Sequence, residues 1–139
     1  MNIDLSTKFG ARVIERLKNE QIIWLTTVRP DGIPQPNPVW FLWDGETIMI
    51  YSQAGARKVS HIQNNSKVAL NFNSTADGGD IVVITGEARI DPETPSVAAS
   101  AAYVEKYREG IAAIGMTPES MSAAYGIVIR ITPKHVRGM

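Results

Sequence analysis

"IIWLTTVRPDGIPQPNPVWFLW", residues 22–43, carries the decision about the fold. Two arms of β-branched and aromatic residues flank Arg29-Pro30-Asp31-Gly32, a run whose Pro, Asp and Gly suit a tight turn. The arms read as a hairpin, 22–29 and 33–43. Prolines 34, 36 and 38 fall at alternate positions of the second arm. A proline has no N–H to donate to a ladder, so one side of the early part of that arm lacks a strand partner or faces something else.

Working outward, Asp44-Gly45 marks another hairpin turn and leads into "ETIMIYS". "SKVALNFN" and "DIVVITGEARI" read as further strands, the second with a bend or bulge at Gly86. "YGIVIRIT" reads as the last, with Tyr125, Ile127, Ile129 and Ile131 on one face. Helices surround these strands. In "STKFGARVIERLKNEQ", Phe9, Val13 and Leu17 recur every four residues with Ile14 beside them, and Ser6 or Thr7 suits the cap. A short helix over 56–64 buries Val59 and Ile62. Thr94-Pro95 predicts a helix running to about Glu109, and Thr117-Pro118-Glu119 a shorter one. About six strands joined mostly by tight turns, with helices at the ends and between, predict a mainly β, antiparallel barrel with peripheral helices, in one domain over 1–139.

Composition narrows the function. The 139 residues carry 14 basic and 14 acidic side chains, so the formal net charge is zero and nothing draws the whole chain to nucleic acid or an anionic membrane. There are no cysteines, which excludes thiolate chemistry and Cys-based metal sites, and only two histidines, His61 and His135. No apolar run reaches the ~20 residues of a membrane span, and "MNIDLSTKFG" holds no apolar signal core; the expectation is a soluble cytoplasmic protein. No nucleophile elbow, zinc-binding H-E-x-x-H, P-loop or G-x-G-x-x-G occurs. Asp31, Asp44, Asp77 and Asp80 stand in turn contexts and are read as turn formers. His61 is assigned to a solvated helix face, His135 to the tail without a partner, and Trp24, Trp40 and Trp43 to core or interface. No catalytic side chain is assigned.

"YSQAGARKVSHIQNN", residues 51–65, raises a different question. Arg57 and Lys58 fall in the first turn of a helix, where the backbone dipole disfavours cations. Two readings stand side by side. Solvated charges would tolerate a penalty of ~0.3–1 kcal/mol. Alternatively an anion sits there, held by free backbone N–H groups and both cations, with Ala54, Gly55 and Ala56 letting a phosphate approach the backbone and Tyr51 and Ser52 bonding the ligand's polar chain.

The segment "YSQAGARKVSHIQNNSKVALNF" resembles the flavin-phosphate motif of the pyridoxamine 5'-phosphate oxidase-like split barrels, in which a Tyr-Thr or Tyr-Ser strand end precedes Ser-Arg-Lys opening a helix. The likeness extends through "WLTTVRPDGIPQPNPVWFLWDGETIMIYS" and "GEARI", covers the chain from about Gln21, and is strongest over 22–90. It implies a split β-barrel homodimer with its cofactor between the subunits. Arg57 and Lys58 would hold the cofactor phosphate, Tyr51 and Ser52 the ribityl region, and Pro38, Val39 and Trp40 the ring, which the proline-interrupted arm would then face. Two departures matter. Ala56 stands where the family has a serine, removing one phosphate contact, and the chain ends at "TPKHVRGM" without the longer basic segment of true pyridoxamine phosphate oxidases. The short form is more similar to the branch of F420-dependent enzymes. The resemblance thus implies an F420- or FMN-dependent oxidoreductase moving hydride to or from a small organic substrate. The alternatives are an FMN-binding flavin reductase or oxidase, or a flavin carrier or sensor without turnover. Lys67, Arg29 and Arg137 are candidates for the acidic tail of F420.

Overall fold

A computed structural model describes residues 3–139 of the chain. Seven strands form one sheet, every pairing antiparallel: β1 (Ile23–Val28), β2 (Pro34–Val39), β3 (Leu42–Trp43), β4 (Ile48–Ser52), β5 (Lys67–Asn71), β6 (Val82–Ile90) and β7 (Ile127–Gly138). Their order across the sheet is β2-β1-β5-β6-β7-β4-β3. Four helices complete the split barrel: α1 (Lys8–Asn19), α2 (Arg57–Asn64), α3 (Ala101–Ala113) and α4 (Pro118–Ala124). None of them is long and apolar enough to cross a membrane.

The hairpin read from 22–43 forms, but its second arm is not one strand. β2 and β3 are separated by Trp40 and Phe41 alone, yet they lie on opposite edges of the sheet. The cause is the side chains that meet Phe41. The Tyr107 hydroxyl accepts from Phe41 N–H at 2.8 Å, and Lys106 Nζ donates to the Phe41 carbonyl at 2.8 Å. With both backbone groups of Phe41 satisfied from α3, the chain leaves the ladder without orphaned polar groups. β2 is then a true edge. Pro34, Pro36 and Pro38 face Val28, Thr26 and Trp24 across the only ladder β2 has, so their missing N–H groups fall where no strand needs them.

The remaining elements follow their sequence signals with three shifts. Thr7 caps α1 by accepting from Gly10 N–H at 2.9 Å; a side chain at Gly10 would meet the Asp4 carbonyl at 2.0 Å, so only glycine fits. The bulge expected at Gly86 is present as a register shift between Thr85 and Gly86, with the Thr132 carbonyl where a Cβ would be. β7 does not stop at Thr132. It continues through Pro133 to Gly138 because β6 is long enough to pair with all of it, and Pro133 sits opposite Gly86 at the bulge, where a missing donor is tolerated. His135 is therefore a strand residue facing Thr85, not part of a loose tail. Tyr125 belongs to the end of α4 instead of this strand. The helix expected from Thr94 begins only at Ala101, capped by Ser100, because Thr94 and Pro95 have other partners: Thr94 Oγ1 donates to Asp91 at 2.9 Å, and the Pro95 carbonyl accepts from Tyr51.

Two apolar clusters result. The larger is the barrel core, built on aliphatic residues such as Leu17, Ile23, Leu25, Ile48, Leu70, Ile84, Ile129 and Ile131, all at most 1% exposed. The smaller gathers Tyr51, Val97, Tyr103, Tyr107, Ile111, Met121 and Val128 from α3, α4 and the neighbouring strands β4 and β7, with Trp40 and Tyr125 packed against it. Arg130 lies on β7 beside residues of both, Ile129 and Ile131 of the larger and Val128 of the smaller. Its guanidinium donates to Asp91 at 2.7 Å, Asp44 at 3.0 Å, Thr47 at 2.7 Å and Thr94 at 2.6 Å. Those hydrogen bonds, led by that of Arg130, hold the Asp91 carboxyl down to about 2.

Candidate cofactor and substrate site

The break after β2 delivers Trp40 to its position. Its indole stacks on the Tyr107 ring at 4.6 Å with planes 3° apart. Gly110, one turn along α3, makes room: a Cβ there would lie 3.1 Å from the indole. Val39 precedes it, 9% exposed, and Pro38 is exposed on the open edge.

A second strand end supplies the facing wall. All five residues of β4 are buried. Tyr51 is 6% exposed, meets Tyr103 edge-on at 4.7 Å, and donates its hydroxyl hydrogen to the Pro95 carbonyl at 2.8 Å. Ser52 is buried and its hydroxyl donates to the Gln53 carbonyl. The turn through Ala54 and Gly55 then opens α2.

The start of α2 differs from those of the other three helices. Thr7, Ser100 and Thr117 each accept from a first-turn N–H with their side chains, and Thr117 forms a full capping box. Ala56 has no side chain able to do so. Arg57 and Lys58 follow, the first exposed, the second half-buried, and among the described residues neither has a carboxylate within salt-bridge distance. Burial without a partner lowers the pKa of the Lys58 ammonium below the usual lysine value. An anion placed here would supply what the site lacks: acceptors for free backbone N–H groups and a countercharge for two cations.

Between these elements lies a hollow of about 360 Å³. Its strand side is lined by Pro38, Val39, Trp40, Tyr51 and Lys58, and its helical side by Tyr103, Ile114, Met121 and Tyr125. Five of the seven residues chosen from sequence thus share one cavity. Ser52 is buried beside it, and Arg57 stands at the surface next to Lys58. Lys67, Arg29 and Arg137 do not line it. Lys67 pairs with Glu87, and Arg29 with Asp31 at 2.5 Å. The helical side was not named from sequence, although Tyr103, Tyr107 and Ile111 recur every four residues and that spacing marks a buried stripe.

Other candidates resolve differently. His61 is not on a solvated face: it is 8% exposed, with Nδ1 3.0 Å from the Thr27 hydroxyl, because α2 lies across β1 and turns that side inward. Asp44 makes the expected turn, accepting from Glu46 and Thr47 N–H at 2.8 and 2.6 Å, and Asp77 does the same for Gly79. Asp80 is no simple turn former; it pairs with Arg12 at 2.7 Å and Arg16 at 3.3 Å and ties its loop to α1. Among the described residues no cluster of His, Asp and Glu is arranged to hold a metal.

The architecture is an antiparallel split β-barrel with an uncapped, cation-bearing helix beside a strand break. The family model for pyridoxamine 5'-phosphate oxidase matches residues 10–139, and the chain belongs to that family. No curated protein matches it. Among solved structures it is similar to an F420 reductase, at 24% identity and a TM-score of 0.67 over 88% of this chain and 94% of that one. It is also similar to General Stress Protein 26 from Bacillus anthracis str. Sterne, at 19% identity and a TM-score of 0.69, covering 91% and 89%. The heme storage protein HutZ from Vibrio cholerae aligns at 14% identity and a TM-score of 0.64, covering 99% and 95%. At these identities the likeness is one of fold.

Proposed function

We propose that this protein binds a flavin-type cofactor, F420 or FMN, and transfers hydride to or from a small conjugated organic substrate. The observation that carries the reading is the meeting of Pro38, Val39 and Trp40 with Lys58, from the uncapped start of α2, around one hollow, with Arg57 beside it at the surface. The residues fit the group. Arg57, Lys58 and the first N–H groups of α2 hold its phosphate; Tyr51 and Ser52 lie along its chain; the backbone and side chains of Pro38, Val39 and Trp40 border its ring. The bound cofactor supplies the hydride chemistry, so the protein needs no nucleophile or acid–base triad of its own. Its residues orient the ring, exclude water with their apolar walls and hold the phosphate.

F420 is the first choice, on the resemblance of "PVWFLWDGETIMIYSQ" to the F420-dependent branch and in keeping with the fold shared with an F420 reductase. FMN in a flavin reductase or oxidase, or a carrier without turnover, is the alternative. The chain acts in the cytoplasm as a homodimer, whose second subunit covers the open side of the hollow.

The test is titration of the purified protein with F420 and FMN at low and high salt, repeated on Arg57→Ala/Lys58→Ala. The double variant is expected to lose at least a hundredfold in affinity, since each charge-assisted hydrogen bond is worth ~1.5–3 kcal/mol, while keeping its fold. Unchanged affinity overturns the phosphate assignment. Tighter binding of FMN than F420 at both salt concentrations replaces the deazaflavin with FMN. Light scattering that finds a monomer with cofactor bound removes the dimer.

A further inference from the structure

The helical side of the hollow contains a feature that cofactor binding does not use. Tyr103 is 1% exposed and lines the cavity, wedged between Tyr51 at 4.7 Å and Tyr107 at 4.9 Å. The hydroxyls of both neighbours are bound: Tyr51 donates to Pro95, and Tyr107 lies 2.7 Å from the Gln21 carbonyl while accepting from Phe41. The Tyr103 hydroxyl has no hydrogen-bond partner among the described residues and is not sealed off from the cavity. A hydroxyl that no protein group engages and that opens only onto the cavity is left to donate to whatever occupies it. Around it the wall is apolar: Ile114, Met121 and the ring of Tyr125.

We propose that this helical wall is the substrate recess, that it takes an apolar, uncharged one- or two-ring compound bearing a carbonyl acceptor, and that the Tyr103 hydroxyl donates the hydrogen bond that selects and orients that carbonyl. The inference rests on the flavin reading for its biological use, because it places the substrate on the side of the hollow away from Pro38, Val39 and Lys58. The whole hollow measures about 360 Å³ and is shared with the cofactor ring, so its helical side limits the compound to one or two rings. The chemistry suits the class. Burial raises the pKa of the Tyr103 phenol, so it remains a neutral donor at any ordinary pH. A site built around one hydrogen bond in apolar surroundings favours the ligand carrying the matching acceptor over an isostere without it. Tyr125 is half-buried, so water competes for its hydroxyl and it contributes shape more than selection.

The experiment uses two probes of nearly one shape, 2-acetylnaphthalene with a carbonyl and 2-isopropylnaphthalene without, titrated into the purified full chain by quenching of tryptophan fluorescence. The carbonyl probe is expected to bind about tenfold tighter, the size of one buried neutral hydrogen bond. Tyr103→Phe erases that preference and leaves the affinity for 2-isopropylnaphthalene intact, whereas Tyr125→Phe keeps it. Equal binding of the two probes by the unmodified protein, or an undiminished preference in Tyr103→Phe, overturns the proposal. F420 and FMN titrations on the same variants separate the two readings. Cofactor binding without a probe preference removes the recess and leaves the flavin assignment. A Tyr103-dependent preference without cofactor binding supports the recess and removes the flavin assignment.

Discussion

The two apolar clusters are built from different materials. The barrel core is dominated by aliphatic side chains from β1, β4, β5, β6 and β7, with no titratable member. The cluster under α3 and α4 has three buried tyrosines in a set of seven, adjoins a cavity, and keeps one of their hydroxyls without a partner among the described residues. An aliphatic core maximises burial and leaves no polar group to satisfy. An aromatic cluster offers rigid surfaces and polar tips, which is what a ligand wall needs. The aliphatic and aromatic clusters thus differ in chemistry, and they adjoin along β7 at Arg130, which stands between Ile129 and Ile131 of the first and two residues from Val128 of the second.

Arg130 is the first place to break the comparison. Arg130→Met leaves Asp91, whose side chain is 7% exposed, without its main partner; a loss of about 3–5 kcal/mol in urea unfolding is expected. Ile84→Ala, in the middle of β6 and 0% exposed, is expected to cost about 2–5 kcal/mol while leaving ligand affinity unchanged wherever the variant is folded. A smaller effect comes from Tyr107→Phe, which strips the cap from Phe41 N–H and costs about 1–3 kcal/mol. It also loosens the strand break that seats Trp40, so a shift in tryptophan emission accompanies it.

Titration probes the same division from both ends of the pH scale. Asp91 has a folded pKa of about 2, held there first by the hydrogen bond from Arg130, against about 3.9 unfolded. Its stabilisation is complete above pH ~4 and drains as pH falls toward 2. Tyr103 and Tyr107 are shifted the other way, raised first by burial. Their stabilisation is complete below the unfolded tyrosine value of ~10 and is lost as pH rises above it. Melting temperature against pH should therefore fall at both ends, and in Arg130→Met the acid limb should flatten. The smallest expected effect sharpens the comparison most. Tyr103→Phe, four residues from Tyr107 in the same helix, should change stability by no more than about 0.5 kcal/mol, because its hydroxyl has nothing to lose within the protein.

Much of this was written in the local chemistry of the chain. Pro-Asp-Gly and Asp-Gly set the turns at 30–32 and 44–45, Gly86 set the bulge, and Thr7 and Thr117 set two helix starts. On the strand side of the hollow, the Arg57-Lys58 pair opposing a helix dipole was readable within a few residues, whereas Pro38, Val39 and Trp40 were named only through the family resemblance. The helical side was not legible. Tyr103 reaches Tyr51 across 52 residues, Arg130 reaches Asp44 across 86, and Tyr107 decides from 66 residues away that the chain leaves the sheet at Phe41. No local propensity encodes those meetings. Turn chemistry and side-chain period act over a few residues, so sequence determined where strands begin, bend and lose their donors. Which edge a strand joins, which histidine is buried against Thr27 and which tyrosine is left with a free hydroxyl depend on groups that only packing brings together, and the tertiary structure alone decided them.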